Sequence, residues 1–173
     1  GGDDTVANNT AKNNVAVGYA TLGGATKSSD GSAFTTNSSV AIGYQALTTI
    51  TTGTNNVAVG YHAGYSTDSN GSNVFIGHNA GYEADSATVS AINNVYIGEA
   101  AGRYLDDGVN NVALGFGAMQ SNSDGAANAV NSAIAIGRSA MAGSVSNQGT
   151  ITIGYYAGDH ASATLLVPVV IVV

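Results

Sequence analysis

Hydrophobic positions in this chain arrive in short bursts of one form: a β-branched residue, a small or aromatic one, a second aliphatic, then glycine. The bursts are Val15-Ala16-Val17-Gly18, Val40-Ala41-Ile42-Gly43, Val57-Ala58-Val59-Gly60, Val74-Phe75-Ile76-Gly77, Val95-Tyr96-Ile97-Gly98, Val112-Ala113-Leu114-Gly115, Ile134-Ala135-Ile136-Gly137 and Ile151-Thr152-Ile153-Gly154. Such three-residue alternation predicts a strand, with its outer two side chains on one face and its middle one on the other. The Val/Ile pairs, as the most apolar positions, are expected to fill a core. The middle column (Ala16, Ala41, Ala58, Phe75, Tyr96, Ala113, Ala135 and Thr152) is then expected to face outward. A small-residue apolar stripe on an outer face marks an interface. This column is therefore expected to join copies of the chain, with three chains around an axis as the favoured closed arrangement.

The spacing of the glycines defines the unit. Successive intervals are 25, 17, 17, 21, 17, 22 and 17 residues, which describes one 17-residue unit lengthened by insertions. The insertions consist of turn-forming sequence, such as "GGATKSSDGSAF" before Gly43 and "SNSDGAANAV" before Gly137. Three residues after the glycine an alanine recurs: Ala46, Ala63, Ala80, Ala101, Ala118, Ala140 and Ala157. Seventeen residues are too few for a propeller blade or a helical hairpin, and suit one turn of a β-solenoid of about eight turns. Stacked turns pair their strands above and below, so the array buries what one unit cannot. Gly53, Gly71 and Gly108 precede the "NN" or "SN" pairs, which are expected to form bends. The expected organisation is a lead-in at 1–12, a repeat domain at 13–158 and a C-terminal apolar segment at 159–173.

Composition narrows the functional classes. Charged residues are 9% of the chain and the net charge is −7, with Lys12, Lys27, Arg103 and Arg138 the only lysines and arginines. Four scattered cations make no basic stripe, so neither nucleic acid nor an anionic membrane surface is an expected partner. Helix formers are scarce beside Val, Ile, Thr and Tyr, which favours an all-β chain. Cysteine is absent, which removes disulfides and thiolate metal sites. No signal peptide is visible and the chain starts at Gly1 without Met, as expected of a processed chain or a fragment. The end, "LLVPVVIVV", is too short for a membrane helix. Uncharged and rich in β-formers, it would aggregate if exposed. Leu165, Leu166, Val167, Val169, Val170 and Ile171 are therefore expected to form an assembly segment, buried in the oligomer, in a further domain or as a donated strand.

No chemistry-bearing constellation emerges. His62 and His78 fall in different columns, and no pair with zinc-ligand spacing exists among the three histidines, His160 included. "DSNGSN" at 68–73 lacks the full calcium-loop pattern, and its residues suit a turn. Glu99 has no second acid in its column, so a paired-carboxylate glycosidase is not expected, and no nucleophile motif occurs. No metal and no cofactor is assigned, and the chain is expected not to be an enzyme. A regular Thr array for ice binding is also missing. The column after the glycine (Tyr19, Tyr44, Tyr61, His78, Glu99, Phe116, Arg138 and Tyr155) reads as an aromatic ladder. It is expected first to cover the edge of the core, and second to offer ring faces to sugars.

"NSSVAIGYQA" at 37–46 and "NSAIAIGRSA" at 131–140 resemble the YadA-like head repeats of trimeric autotransporter adhesins. The longer "NNVAVGYHAG" form also resembles repeat regions of bacteriophage tail fibres. The resemblance spans residues 13–158 and implies a left-handed parallel β-roll and a homotrimer. The autotransporter stalk and membrane barrel are not in this sequence, and the repeat here is longer than the head family's common unit. The expected function is a structural and adhesive element of a phage tail or virion fibre. The head of a bacterial adhesin and a filament joined through the C-terminal strand are the alternatives. An extracellular location on a virion or bacterial surface follows, with a cell-surface glycan or protein as receptor. Contacts are expected from the loops at 23–37, 83–92 and 121–131.

Overall fold

The computed structural model describes residues 12–22, 36–67, 71–83, 85–86, 89–105, 107–121, 130–143, 147–159 and 169–171. Over these the chain is an all-β parallel solenoid. Its rungs are eight three-residue strands: β1 (Val15–Val17), β2 (Val40–Ile42), β3 (Val57–Val59), β4 (Val74–Ile76), β7 (Val95–Ile97), β8 (Val112–Leu114), β9 (Ile134–Ile136) and β10 (Ile151–Ile153). Each pairs in parallel with the next, and every triplet lies on its homologous triplet, as with Val57↔Val74, Ala58↔Phe75 and Val59↔Ile76. A short hairpin, β5 (Asp85–Ser86) with β6 (Val89–Ser90), stands in the insertion before β7. The last strand among the described residues, β11 (Val169–Ile171), pairs with β10 as Ile151↔Val169, so these three residues extend the same sheet. Across the coil a second parallel column of bridges runs Gly71↔Ile92↔Val109↔Asn131↔Gln148.

The two faces of the sheet are the reverse of the expectation. Ala41, Ala58, Phe75, Tyr96, Ala113 and Ala135 are fully buried and Thr152 is 1% exposed, all inside the coil. Only Ala16, on the terminal strand β1, is exposed. The Val/Ile pairs face outward. The middle column is therefore core and cannot provide the contact between chains. The reason is width. The coil is narrow, and a strand between a bend and a glycine turns only alternate residues inward. Those residues are the strand centre and the asparagine just before the strand, so the two branched side chains must point out.

The interior is filled by size compensation between the strand centre and the position six residues later. Ala41 is followed by Leu47, Ala113 by Met119 and Ala135 by Met141, all buried. Where the centre is large, the later position is glycine. A Cβ on Gly81 would lie 2.4 Å from Phe75 Cδ1, one on Gly102 would lie 2.2 Å from Tyr96 Cδ2, and one on Gly158 would lie 2.7 Å from Thr152 Cγ2. The coil containing Ala58 and Gly64 is small at both positions, and Phe75 and Leu47 from its neighbours close on Gly64. The recurring alanines Ala46, Ala63, Ala80, Ala101, Ala118, Ala140 and Ala157 line the rest of the core.

The bends depend on left-handed backbone. Asn13, Ser38, Asn55, Ser72, Asn93, Asn110, Ser132 and Gly149 form one column with φ between 54° and 61°. Asn and Ser tolerate this region because their short side chains satisfy nearby backbone groups. From Ser39 onward the following residue is buried. Where it is Asn or Ser, its side chain closes polar groups that the strand ladder does not reach. Asn73 Nδ2 donates to the Ala91 carbonyl (2.9 Å), while its Oδ1 accepts the Asn94 amide N–H (2.9 Å). Asn94 repeats this toward Gly108 and Asn111, and Asn111 toward Val130 and Ala133. Ser39 uses its hydroxyl for the Asn56 N–H. Each asparagine thus serves two backbone groups of the next coil. Asn94→Ala leaves the Gly108 carbonyl and the Asn111 N–H buried without a partner. At about 1–3 kcal/mol per orphaned group, the expected loss is about 2–6 kcal/mol, read as a lowered midpoint in urea unfolding.

Candidate functional site

The outward aliphatic columns form the first candidate surface. Val15, Val17, Ile42, Ile76, Leu114 and Ile153 are each more than a third exposed, and their neighbours Val40, Val57, Val59, Val74, Val95, Ile97, Val112, Ile134, Ile136 and Ile151 are half-buried. Because every rung is in register, these side chains line up as two parallel rows along the sheet. The face is apolar, β-branched and therefore stiff at χ1, so little side-chain entropy is lost when a partner covers it. It carries no charged residue over the eight rungs.

The aromatic ladder lies next to it. Tyr19, Tyr44 and Tyr61 stack with centroids 5.2 and 5.1 Å apart and interplanar angles of 15° and 8°. His78 continues the column at 5.3 Å from Tyr61, and its Nδ1 lies 3.6 Å from Glu99 Oε1. Further along, the Arg138 guanidinium lies 5.3 Å from the Phe116 centroid and 5.6 Å from that of Tyr155, both in cation–π range. The ladder expected from the sequence is present, with its rings on the surface. Stacking also decides what it offers. A ring inside the stack has a neighbour on each face, so it presents its edge and hydroxyl rather than a free face for a sugar.

A second aromatic column was not read from the sequence. Tyr65 and Tyr82, each five residues after its glycine, stack at 5.0 Å and 11°. Arg103, in the same column, places its guanidinium 5.5 Å from the Tyr82 centroid and 4.4 Å from that of Tyr104, whose hydroxyl accepts a hydrogen bond from Arg103 Nη2. The signal was the shared 17-residue offset of Tyr65 and Tyr82, hidden because that column elsewhere holds Thr48, Gln120, Ala142 and Asp159. His62 joins the two columns. Its ring lies 4.0 Å from Tyr61, 4.9 Å from Tyr65 and 5.6 Å from Tyr82, and its Nε2 is 2.7 Å from Gln45 Oε1. Burial, with a smaller contribution from His78, lowers the His62 pKa below its ordinary value. Burial, followed by the nearby Glu83, raises that of Tyr82. Inside the coil, burial raises Tyr96 well above the ordinary phenol range, and no hydrogen bond of ordinary geometry reaches its hydroxyl.

His62 and His78 lie in adjacent columns as the spacing implied, and among the described residues no three His, Asp or Glu side chains converge as metal ligands. Glu99 faces His78 rather than a second carboxylate. No helix is long and apolar enough to cross a membrane among the described residues. Of the expected contact loops, 83–92 carries the β5–β6 hairpin, while 23–35 and 122–129 lie outside the described residues. Of the expected assembly segment, Val169, Val170 and Ile171 form β11, while Leu165, Leu166 and Val167 lie outside the described residues. Neither a family model, nor a curated protein, nor a solved structure matches the chain.

Proposed function

We propose that the chain is the rigid, non-enzymatic repeat segment of an extracellular attachment fibre, on a virion tail or as the head of a bacterial surface adhesin. Three copies, each a left-handed roll of about eight turns, pack through the outward Val/Ile rows around a common axis. The insertion loops at 23–37, 83–92 and 121–131 then meet a cell-surface glycan or protein. The observation that carries this reading is the outward aliphatic face. A parallel axis brings each rung against the same rung of its neighbour, so the rows meet along their full length. Fully burying a Val, Leu or Ile side chain is worth about 1.5–3 kcal/mol, so the six most exposed ones alone supply a substantial drive to associate. The choice of three chains rests on the repeat resemblance.

Val59→Asp with Ile97→Asp places two carboxylates on this face without touching the interior. The expected result is a soluble monomer by sedimentation equilibrium that keeps its β-sheet circular dichroism, where the parent chain sediments as a trimer. A parent chain that is monomeric throughout the micromolar range overturns the fibre reading. Loss of cell attachment on shortening the 83–92 loop, with the trimer intact, is the expected result for the adhesive role. One observation favours the filament alternative: β11 continues the sheet in phase and is its last strand among the described residues. Micrographs showing discrete rods rather than long filaments argue against that alternative.

A further inference from the structure

The two tyrosine columns combine features that the attachment role does not use. Three phenol pairs lie parallel: Tyr19–Tyr44 at 5.2 Å and 15°, Tyr44–Tyr61 at 5.1 Å and 8°, and Tyr65–Tyr82 at 5.0 Å and 11°. Each pair joins successive coils, not residues of one bend. Tyr19, Tyr44 and Tyr61 are 69%, 42% and 47% exposed, so an oxidant in solution reaches them. Tyr65 and Tyr82 are held by the His62 ring on one side and the Arg103 guanidinium on the other. The chain has no cysteine, so no disulfide can tie one coil to the next.

We propose that these stacked pairs are dityrosine-forming sites, which a one-electron oxidant of the haem-peroxidase class, with hydrogen peroxide as terminal acceptor, converts into covalent links between adjacent coils. Each phenol gives up one electron and its hydroxyl proton, leaving a phenoxyl radical with spin on the carbons ortho to oxygen. Two such radicals in a stacked pair form one ortho–ortho C–C bond. Each bonded carbon then loses its hydrogen as the ring regains aromaticity and the oxygen regains a proton. The sum is two phenols and one hydrogen peroxide giving one biphenol and two waters. Stacking places like carbons of the two rings beside one another before oxidation, so coupling within the chain outpaces an encounter between chains. The advantage is that of a reaction whose partners are already in place. The link would join residues 17 apart in sequence, Tyr65 to Tyr82 or Tyr44 to Tyr61, and remove chain entropy from the unfolded state as other cross-links do.

Tyr155 and Tyr156 supply an internal control. Their rings are nearer, at 4.5 Å, but stand at 83° to one another, and Tyr155 is 64% exposed. Exposure and proximity alone predict reaction there; parallel stacking does not. The experiment treats the folded full chain with a haem peroxidase and hydrogen peroxide, with isotope-labelled and unlabelled copies mixed, followed by proteolysis and mass spectrometry. The expected products are same-chain peptide pairs that have lost two hydrogens, joining Tyr65 to Tyr82 and Tyr44 to either Tyr19 or Tyr61. Tyr82→Phe, which preserves the stack but not the phenol, should remove the Tyr65 link at least tenfold and leave the Tyr44 link in place. Unfolding in urea before oxidation should erase the preference. Products joining mainly labelled to unlabelled chains overturn the proposal, as does a yield that follows ring proximity rather than parallel stacking, with the Tyr155–Tyr156 link foremost. The proposal concerns the chain's own rings and stands whether or not the attachment role does.

Discussion

Phe75→Ala should lower stability by about 3–5 kcal/mol, the range for removing a fully buried aromatic ring, and adding Gly81→Met should restore more than half of it. Phe75 is completely buried, and Gly81 exists as glycine because a Cβ there would enter the Phe75 ring. Alone, Gly81→Met overpacks the coil and should cost about 1–3 kcal/mol. Together the two changes rewrite this coil as Ala followed by Met, the arrangement already present at Ala113/Met119 and Ala135/Met141. The backbone accepts it, since Met119 and Met141 have φ of 55° and 56° and Gly81 has 58°. The measurement is denaturant unfolding of both single variants and the pair at one protein concentration, so that association does not enter the comparison. A double variant no more stable than Phe75→Ala would show that the two positions do not share one volume.

The glycine after each strand should be the least replaceable residue of the unit. At Gly77, with φ of 133°, a Cβ would stand 2.6 Å from the Gly98 carbonyl oxygen and 2.7 Å from its carbon, both backbone atoms that hold the next rung. Backbone strain of about 1–3 kcal/mol and a steric cost of similar size together put Gly77→Ala at about 2–6 kcal/mol. Gly149 provides the contrast. It also has positive φ, at 61°, but nothing lies within 4 Å of where its Cβ would be, and its column is otherwise Asn and Ser. Gly149→Asn should therefore be neutral or stabilising by a few tenths of a kcal/mol, since it narrows the unfolded ensemble at a site that Asn already fits. Thermal unfolding of the two variants side by side separates these cases. Equal losses would show that position in the coil, not the neighbouring carbonyl, sets the cost.

The solenoid, its unit and the rungs that pair were all legible, because insertions changed spacing without disturbing the order of columns. The direction of the strand faces was not. Assigning the most apolar residues to the inside is a sound rule for an ordinary two-layer domain. It fails in a coil whose interior holds about one side chain per strand. The correcting signal stood in the same sequence: Phe75 and Tyr96 are followed six residues later by Gly81 and Gly102, while Ala41, Ala113 and Ala135 are followed by Leu47, Met119 and Met141. Such exchange of volume is expected only between positions that face one another across a packed space. Asn56, Asn73, Asn94 and Asn111 carried a second hint. They read as bend residues because their preceding neighbours are, yet alternation through the strand puts them on the same side as the buried centre. The relocation moves the candidate contact between chains from the alanines to the Val/Ile rows, and leaves the aromatic ladder where it was read.

The bends carry a consequence for how the chain acquires its structure. Each turn holds non-glycine residues in left-handed conformation, among them Asn55 and His62 in one coil and Asn93 and Ala100 in another. Such residues cost on the order of 1 kcal/mol each. A lone turn bears that cost with no rung above or below to offset it. The first two turns to meet are therefore a nucleus, uphill to form, and every later turn adds downhill at a sequence distance of about one unit. Growth of this kind resembles crystallisation in one dimension. It favours rapid local assembly, and it makes partly wound chains scarce beside those that are either fully wound or not wound at all.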